Sequence, residues 1–283
     1  MGAPIRIDLH THTSASDGYL GPAALVRAAH EAGIGVLGVT DHDTVDGLAE
    51  AEAHARGAGV RLIPGIEIST YWRRVELHIL GYFIDPCHPA LLAFLASTRG
   101  ARVERLHAMV SRLFRLGLAV TAEEALAETR DGNVGRPHLA RVLVRRGYVA
   151  STDEAFDRYL GTDRPAYVPR PDVTVAEAIR VIHEAGGLAA WAHPGLHERD
   201  DALPELMAAG LDALEAYHPN HLPPKAGRYR RLAAARGLLV TGGSDFHGAA
   251  GGAHAAAPGT PCLSAPEFHR LEAALEARRA ARS

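Results

Sequence analysis

The stretch Arg6-Ile7-Asp8-Leu9-His10-Thr11-His12 places two histidines directly after a short apolar segment near the start of the chain. The segment Arg6–Leu9 predicts a β-strand. Alternate side chains of an extended chain point to the same face, so His10 and His12 can both approach one cation. The first expectation is therefore a metal site at the carboxyl end of a strand.

Similar apolar segments recur along the chain and alternate with longer segments of helical periodicity, which is typical of βα units around a parallel sheet. The further predicted strands are Val36–Thr40, Arg61–Ile66, Val75–Phe83, Leu188–Trp191, Ala213–Tyr217 and Leu238–Thr241. The predicted helices between and after them are Pro22–Ala32, Val45–Arg56, Val173–Ala185, Leu203–Ala209, Pro224–Ala235 and Ala265–Ala281. The chain is therefore expected to have an α/β fold.

Residues 90–165 interrupt this alternation. They begin with a long amphipathic segment, Leu91–Leu116, that predicts a helix, and they show no strand pattern. The proline-rich segment Pro165–Pro171 would lead the chain back to the sheet. We expect a helical insertion at residues 90–165 that caps the substrate, within a catalytic barrel formed by residues 1–89 and 166–283.

Metal-binding side chains follow most of the predicted strands at their carboxyl ends. The segments are Asp8-Leu9-His10-Thr11-His12, Thr40-Asp41-His42-Asp43, Gly65-Ile66-Glu67, Ala192-His193-Pro194, Tyr217-His218-Pro219 and Ser244-Asp245-Phe246-His247, and His78 lies within Val75–Phe83. In closed α/β barrels the strand ends on that face surround the active site, so these ligands would converge. A set of imidazoles and carboxylates without sulfur suits manganese, zinc or iron better than calcium or magnesium alone.

The composition narrows the classes of function. The 283 residues include 30 Lys+Arg and 33 Asp+Glu, and the net charge of −3 argues against a long nucleic-acid track and an anionic-membrane surface. The two cysteines, Cys87 and Cys262, form no CxxC motif, which argues against a disulfide framework or a thiolate zinc site. No signal peptide and no apolar stretch of about 18 residues occurs, so we expect a cytoplasmic protein without membrane contact.

At these motifs the chain resembles the PHP (polymerase and histidinol phosphatase) family of metal-dependent phosphoesterases. The resemblance extends from the first predicted strand to the last. It implies a distorted (β/α)7 barrel and a cluster of two or three divalent metals. We expect manganese, with zinc or iron as alternatives.

Carried over residue by residue, the resemblance implies three sets of metal ligands. The first set is His10, His12, Glu67 and Asp245. The second set is Glu67, as a bridge, with His78 and His193. The third set is Asp17, His42 and His247. Asp17 stands where some members of the family carry histidine, so we expect a weaker third site and an occupancy of two or three ions.

Two further residues, Asp41 and His218, are expected to have catalytic roles. Asp41 is expected to orient a neighbouring imidazole rather than to bind a metal directly. His218 is expected to face the substrate and is a candidate to protonate the leaving group. We expect the nucleophile to be a hydroxide that bridges the metals, not a protein side chain.

Within the family, the likeness is to the branch with a helical insertion and the run Gly135-Arg136-Pro137-His138-Leu139-Ala140. That branch contains 3′,5′-nucleoside bisphosphate phosphatases and 5′→3′ exoribonucleases that act on short RNA. The insertion supplies five candidates for binding substrate phosphate: Arg99, Arg102, Arg105, Arg136 and His138. A guanidinium binds phosphate through two parallel hydrogen bonds. The prediction is hydrolysis of the 3′-phosphate of a nucleoside 3′,5′-bisphosphate to a nucleoside 5′-monophosphate and phosphate.

Four alternatives remain open at this point. Two are other phosphoesterases of the same family, a 5′→3′ exoribonuclease on short 5′-phosphorylated RNA and a histidinol-phosphate phosphatase. The third is a metal-dependent amidohydrolase, many of which use a carbamylated lysine as a bridge. Lys225 is the only lysine, and Glu67 takes the bridging position, which disfavours this class. The fourth is a non-catalytic metal-binding module, which the intact ligand set disfavours.

Overall fold

The computed structural model describes residues 5–73, 75–128, 134–169, 173–248 and 257–281. A sheet of seven strands in sequential order forms a barrel. The strands are β1 (Arg6–Asp8), β2 (Ile34–Val39), β3 (Arg61–Trp72), β4 (Val75–Tyr82), β5 (Leu188–Trp191), β6 (Ala213–Tyr217) and β7 (Leu239–Gly242). The barrel closes between its first and last strands, because the Leu9 N–H donates to the Gly242 carbonyl at 3.2 Å. The predicted α/β barrel is confirmed.

The sheet departs from the predicted parallel arrangement at β4. This strand is antiparallel to both neighbours, and it forms a hairpin with β3 in which His78 pairs with Ser69. The prediction ended the third strand at Ile66, whereas β3 continues to Trp72. Because β4 runs in the opposite direction, His78 reaches the ligand-bearing end of the barrel from within its strand.

Helices cover the outside of the barrel and fill the region between β4 and β5. They are α1 (Pro22–Glu31), α2 (Leu48–Ala58), α3 (Pro89–Arg115), α4 (Ala122–Leu126), α5 (Arg136–Arg145), α6 (Thr152–Ala155), α7 (Val175–Glu184), α8 (Leu203–Ala208), α9 (Pro223–Arg236) and α10 (Ala265–Ala280). A π-helical turn, Phe156–Leu160, follows α6. Among the described residues, no helix combines the length and the apolar character that crossing a bilayer requires.

Three apolar cores hold these elements together. Two belong to the barrel and pack its strands against α1, α2, α7 and α10. The third consists only of residues between Leu106 and Ala166, so the predicted insertion contains a core of its own. The helix α3 contributes to both regions, with Leu91 and Leu95 in the barrel core and Met109 and Leu113 in the other. Its 27 residues correspond to a length of about 40 Å, which lets one helix span both cores.

Candidate metal centre

Glu67 lies at the centre of a buried group of imidazoles at the carboxyl end of the parallel strands. Its Oε2 atom faces His10 Nε2 at 3.2 Å, His12 Nε2 at 3.3 Å and His42 Nδ1 at 3.3 Å. Its Oε1 atom faces His78 Nδ1 at 2.8 Å and His193 Nε2 at 3.1 Å. One carboxylate therefore presents its two oxygens to two separate groups of histidines, which is the arrangement that a bridging ligand requires.

Two more carboxylates complete the cluster. Asp245 Oδ1 lies 3.1 Å from His12 Nε2 and 3.4 Å from His10 Nε2. Asp17 Oδ1 lies 3.2 Å from His247 Nε2, and its Oδ2 lies 3.8 Å from His42 Nε2. The structure thus brings together all nine residues that the sequence predicts as metal ligands.

Three overlapping groups of these side chains have ligand atoms within 4.8 Å of one another. The groups are His10, His12 and Glu67; His42, Glu67 and His78; and His12, Asp17, His42 and His247. Imidazole nitrogens and carboxylate oxygens are suitable donors for manganese, zinc or iron. The two cysteines belong to none of the groups. The chemistry of the donors therefore fits a cluster of divalent cations.

The electrostatics of the cluster favour cations. Burial by itself would raise the pKa of Glu67, but His42 and His10 outweigh it and hold that pKa well below its usual range. Burial likewise opposes ionisation of Asp245, and His10 and His247 again lower its pKa well below the usual value. Burial lowers the pKa of His193, which keeps its imidazole available as a neutral ligand. Burial opposes protonation of His12 and His78, but Asp245 and Glu67 outweigh it at His12 and Glu67 outweighs it at His78, so the pKa of His12 rises to about 10 and that of His78 to about 9. A metal ion that binds there would displace these protons.

A buried glutamate that the sequence interpretation missed supports two of the histidines. Glu215 lies on β6 and is fully buried. Its Oε1 lies 2.8 Å from His10 Nδ1, and its Oε2 accepts the His193 N–H at 2.7 Å. The signal available in the sequence is an acidic residue in the middle of the apolar strand Ala213–Tyr217, where an unpaired charge would be costly.

Asp41 has a different role from the one that the sequence suggested. Its Oδ1 accepts hydrogen bonds from the Thr13 N–H at 2.7 Å and the Ser16 hydroxyl at 2.6 Å, and its Oδ2 accepts one from the Thr13 hydroxyl at 2.7 Å. These contacts organise the loop of residues 13–18, which carries Asp17. Asp41 therefore holds a ligand-bearing loop rather than orienting an imidazole.

His218 lies beside the cluster but does not face the open cavity. It is only 2 % exposed, and its Nε2 lies 3.3 Å from Asp245 Oδ2. Its Nδ1 accepts the Asn220 N–H at 3.2 Å. It is absent from the residues that line the cavity. The position fits a residue that orients Asp245 better than one that protonates a leaving group.

Lys225 is remote from the bridging position. Its Nζ donates to the Gly195 carbonyl and to Glu198, each at 3.0 Å. The bridge of the lysine-dependent amidohydrolases is therefore not formed by this residue. Glu67 holds the position between the two groups of histidines.

A cavity of about 610 Å³ opens above the cluster, within the range of about 300–1,000 Å³ that is usual for ligand sites. One wall consists of cluster residues: Asp17, His42, Glu67, His78, His193, Asp245 and His247. The facing wall comes from the predicted insertion and the residues that follow it: Arg102, Gly135, Arg136, Pro137, His138, Phe156, Thr162, Asp163 and Tyr167. The cavity therefore lies between the candidate metal ligands and the helical region.

Two of the four predicted arginines line this cavity. Arg136 pairs with Glu76 at 2.7 Å and lies over the rings of Phe156 and Tyr167, each 5.6 Å from the guanidinium carbon. Arg102 is buried, pairs with Asp43 and donates to the Val134 carbonyl at 3.4 Å.

The other two predicted arginines do not line the cavity. Arg99 is partly exposed and pairs with Asp46 at 2.8 Å. Arg105 donates to the Val168 carbonyl at 2.6 Å. A step of three residues along α3 rotates the side chain by about 300°, so Arg99 and Arg105 lie about 60° to either side of Arg102, which lines the cavity.

His138 contacts the barrel rather than only the cavity. It is 1 % exposed, and its Nδ1 accepts the Gly135 N–H at 3.0 Å. Its Nε2 donates to the Ser16 carbonyl at 2.7 Å. Burial and the nearby Arg141 together lower the pKa of His138 to about 4, so the imidazole is neutral at pH 7. Both ring nitrogens are therefore engaged within the protein.

Comparisons with known proteins agree with this geometry. Residues 8–144 match the model of the PHP domain. The chain is 38 % identical over 247 residues to the 5′-3′ exoribonuclease Rnm of Escherichia coli, covering 85 % of this chain and 84 % of that protein. It is 36 % identical over 248 residues to the 3′,5′-nucleoside bisphosphate phosphatase of Chromobacterium violaceum, covering 86 % and 87 % of the two chains.

A solved structure from Bifidobacterium adolescentis, described as a metal-dependent phosphoesterase, has the same fold. It superposes with a TM-score of 0.86 and 32 % identity, and the match covers 96 % of this chain and 97 % of the other. Similarity over most of the chain, in sequence and in structure, thus accompanies the cluster of histidines and carboxylates. The chain belongs to the PHP family and is a metal-dependent phosphoesterase.

Proposed function

We propose that the protein removes the 3′-phosphate of nucleoside 3′,5′-bisphosphates and releases a nucleoside 5′-monophosphate and phosphate. The observation that carries this proposal is a single cavity with the candidate metal ligands on one wall and Arg136 on the other. A substrate with two phosphates needs two anion sites, and this cavity offers both. The bisphosphate phosphatase of Chromobacterium violaceum, at 36 % identity, supports the assignment.

The nine clustered side chains are the proposed metal ligands, in the sets that the family resemblance implies. Manganese is the proposed metal, with zinc or iron as alternatives. Divalent cations held there would polarise a water molecule and neutralise charge on the phosphate oxygens. Glu215 would keep the imidazole of His10 in its ligating orientation, because its carboxylate accepts the Nδ1 proton and leaves Nε2 free to bind.

Residues 90–165 are proposed to act as a cap that holds the far end of the substrate. Arg136 is the proposed contact for the 5′-phosphate, since its guanidinium lines the cavity and is fixed by Phe156 and Tyr167. Its contact with Glu76 uses one of its two terminal nitrogens, which leaves further N–H groups for a phosphate. Binding energy at the 5′-phosphate would place the 3′-phosphate on the metals.

The second candidate is a 5′→3′ exoribonuclease on short 5′-phosphorylated RNA. The 38 % identity to the enzyme of Escherichia coli favours it. The same cavity would serve both activities, because each substrate carries a 5′-phosphate and a phosphate ester at the neighbouring 3′ position. The net charge of −3 supports a small nucleotide over a long polymer.

Steady-state kinetics on three substrates test the proposal. We expect kcat/KM to be highest for adenosine 3′,5′-bisphosphate, lower for a 5′-phosphorylated trinucleotide and lowest for histidinol phosphate. A higher kcat/KM for the trinucleotide would favour the exoribonuclease. Preference for histidinol phosphate, or bound manganese without hydrolysis of any of the three, would contradict both candidates.

A further inference from the structure

Asp17 lies on a loop, farther along the chain from the end of its strand than any other candidate ligand. The loop is residues 13–18, between β1 and α1. A loop residue is held only by the contacts that its loop makes, and ordering it costs conformational entropy. From the barrel side, Asp41 binds Thr13 and Ser16 through the three hydrogen bonds described above.

The helix α5 reaches the same loop from the opposite side. His138 Nε2 donates to the Ser16 carbonyl at 2.7 Å, and Arg141 Nη1 donates to the Asp17 carbonyl at 3.0 Å. These two carbonyls belong to the peptide groups on either side of the Asp17 α-carbon. Together the two donors restrain the backbone from which the Asp17 carboxylate extends toward His42 and His247.

We propose that His138 and Arg141 are positioning residues for the metal site formed by His12, Asp17, His42 and His247, so that the placement of α5 sets the affinity of this site. The inference rests on the metal cluster of the proposed function, but it does not depend on which phosphate ester is hydrolysed. Coupling of this kind is reciprocal, so an ion bound at Asp17 would also hold α5 against the barrel. His138 then acts through the protein backbone instead of contacting substrate phosphate.

Two substitutions separate the bonds that His138 makes. The imidazole places its Nδ1 at the distance of an asparagine oxygen and its Nε2 at the distance of a glutamine nitrogen. His138→Asn therefore keeps an acceptor for the Gly135 N–H but does not reach Ser16. His138→Gln keeps a donor that reaches the Ser16 carbonyl. The asparagine variant is the test, and the glutamine variant is its matched control.

The experiment is a titration of the metal-free full-length protein with Mn²⁺, with free Mn²⁺ followed by electron paramagnetic resonance. Asp17→Asn identifies the class of binding that depends on Asp17. We expect His138→Asn to weaken that same class about 10-fold or more and to leave the other classes unchanged. His138→Gln should remain within about twofold of the wild type. If His138→Asn does not fold, Arg141→Met removes the donor to Asp17 and is expected to weaken the same class.

Three results would overturn the inference. The first is that the Asp17-dependent class of site binds Mn²⁺ with unchanged affinity in His138→Asn, or in Arg141→Met where that variant is used. The second is that the variant weakens every class of site equally. The third is that Asp17→Asn does not change the number of Mn²⁺ ions bound. Each is measured without a phosphate ester. Failure of the bisphosphate assay and failure of this inference are therefore distinguishable.

Discussion

His10 Nδ1 lies 2.8 Å from Glu215 Oε1, and the other oxygen of the same carboxylate accepts the His193 N–H at 2.7 Å. One buried side chain on β6 thus holds a candidate ligand from the end of β1 and the backbone of another after β5. Partners of this kind fix the tautomer of a ligating imidazole and make it more basic. Substitution of Glu215 should therefore change metal affinity, as substitution of a ligand would.

Substitution of Glu215 should weaken metal binding in proportion to the acceptors that are lost. Glutamine keeps one acceptor for two donors, so we expect Mn²⁺ affinity to fall about 10-fold in Glu215→Gln and further, toward about 100-fold, in Glu215→Ala. Titration with Mn²⁺ measures both. Glu198→Gln is a matched control, because Glu198 is exposed and pairs with Lys225. Wild-type affinity in Glu215→Ala would show that the contact is dispensable.

Manganese should stabilise the protein through Glu67. An ion at 100 times its dissociation constant adds about 2.7 kcal/mol to the free energy of unfolding. We therefore expect Mn²⁺ to raise the Tm of the wild type, and Glu67→Gln to lose most of that increase because its amide nitrogen does not bind a cation. Thermal unfolding with and without Mn²⁺ measures the difference. An equal rise in Tm for both proteins would argue against Glu67 as the bridge.

The predicted ligands His10 and Asp245 should be indispensable for turnover. Asp245 lines the cavity, and its Oδ1 lies 3.4 Å from Nε2 of the buried His10. His10→Ala or Asp245→Ala removes one donor from a site that needs several, so we expect hydrolysis of any phosphate ester to fall to background. Mass spectrometry of bound metal should show fewer ions in each variant. Full activity in either variant would remove that residue from the ligand set.

Asp212 lies at the opposite end of the barrel from the cluster, and we expect its contribution to the free energy of unfolding to depend on pH. Burial would raise its pKa, but hydrogen bonds from His183, the Ala189 N–H and Arg278 lower it below the usual value. A carboxyl whose pKa is lower in the folded state stabilises the fold above its unfolded pKa of about 3.9 and loses that effect as the pH falls through the folded value.

Asp212→Asn should therefore lower the free energy of unfolding by about 1.5–3 kcal/mol at pH 7. The difference from the wild type should shrink below about pH 4. Urea unfolding of the metal-free proteins at both pH values measures it. Asp201→Asn is the control, since Asp201 is exposed and pairs with Arg199, and it should change stability by less than about 0.5 kcal/mol. A difference that persists unchanged at pH 3 would contradict the assigned cause.

The candidate ligands were predictable because strand position determines where a side chain ends up in a barrel. His42, Glu67 and His193 lie far apart in the chain, but each follows or ends a predicted strand. The fold brings His42 within 3.3 Å of one oxygen of the Glu67 carboxylate and His193 within 3.1 Å of the other. The direction of β4 was not predictable from its apolar pattern. A strand has the same alternation of side chains whether a hairpin makes it antiparallel to the preceding strand or a crossover makes it parallel. His78 was still placed correctly in the cluster by its likeness to the family.

The roles of supporting residues were harder to predict because they depend on partners and not on residue type. His138 has the chemistry of a phosphate ligand, yet both of its nitrogens bind backbone groups. Asp41 contacts hydroxyl and amide groups of its neighbouring loop, and Arg99 points away from the cavity that Arg102 lines. Such partners come from elements distant in sequence, so only the folded structure identifies them.

The central claim is that one cavity binds a bisphosphate at both of its ends, and Arg136 tests it most directly. The measurement is the ratio of kcat/KM for adenosine 3′,5′-bisphosphate to that for adenosine 3′-monophosphate, in the wild type and in Arg136→Met. Hydrogen bonds to a charged group contribute about 1.5–3 kcal/mol, so the variant should lower this ratio about 10- to 100-fold. Arg180→Met, at an exposed arginine paired with Glu184, is the control and should leave it unchanged. An equal loss on both substrates in Arg136→Met, or a wild type that prefers the monophosphate, would contradict the account.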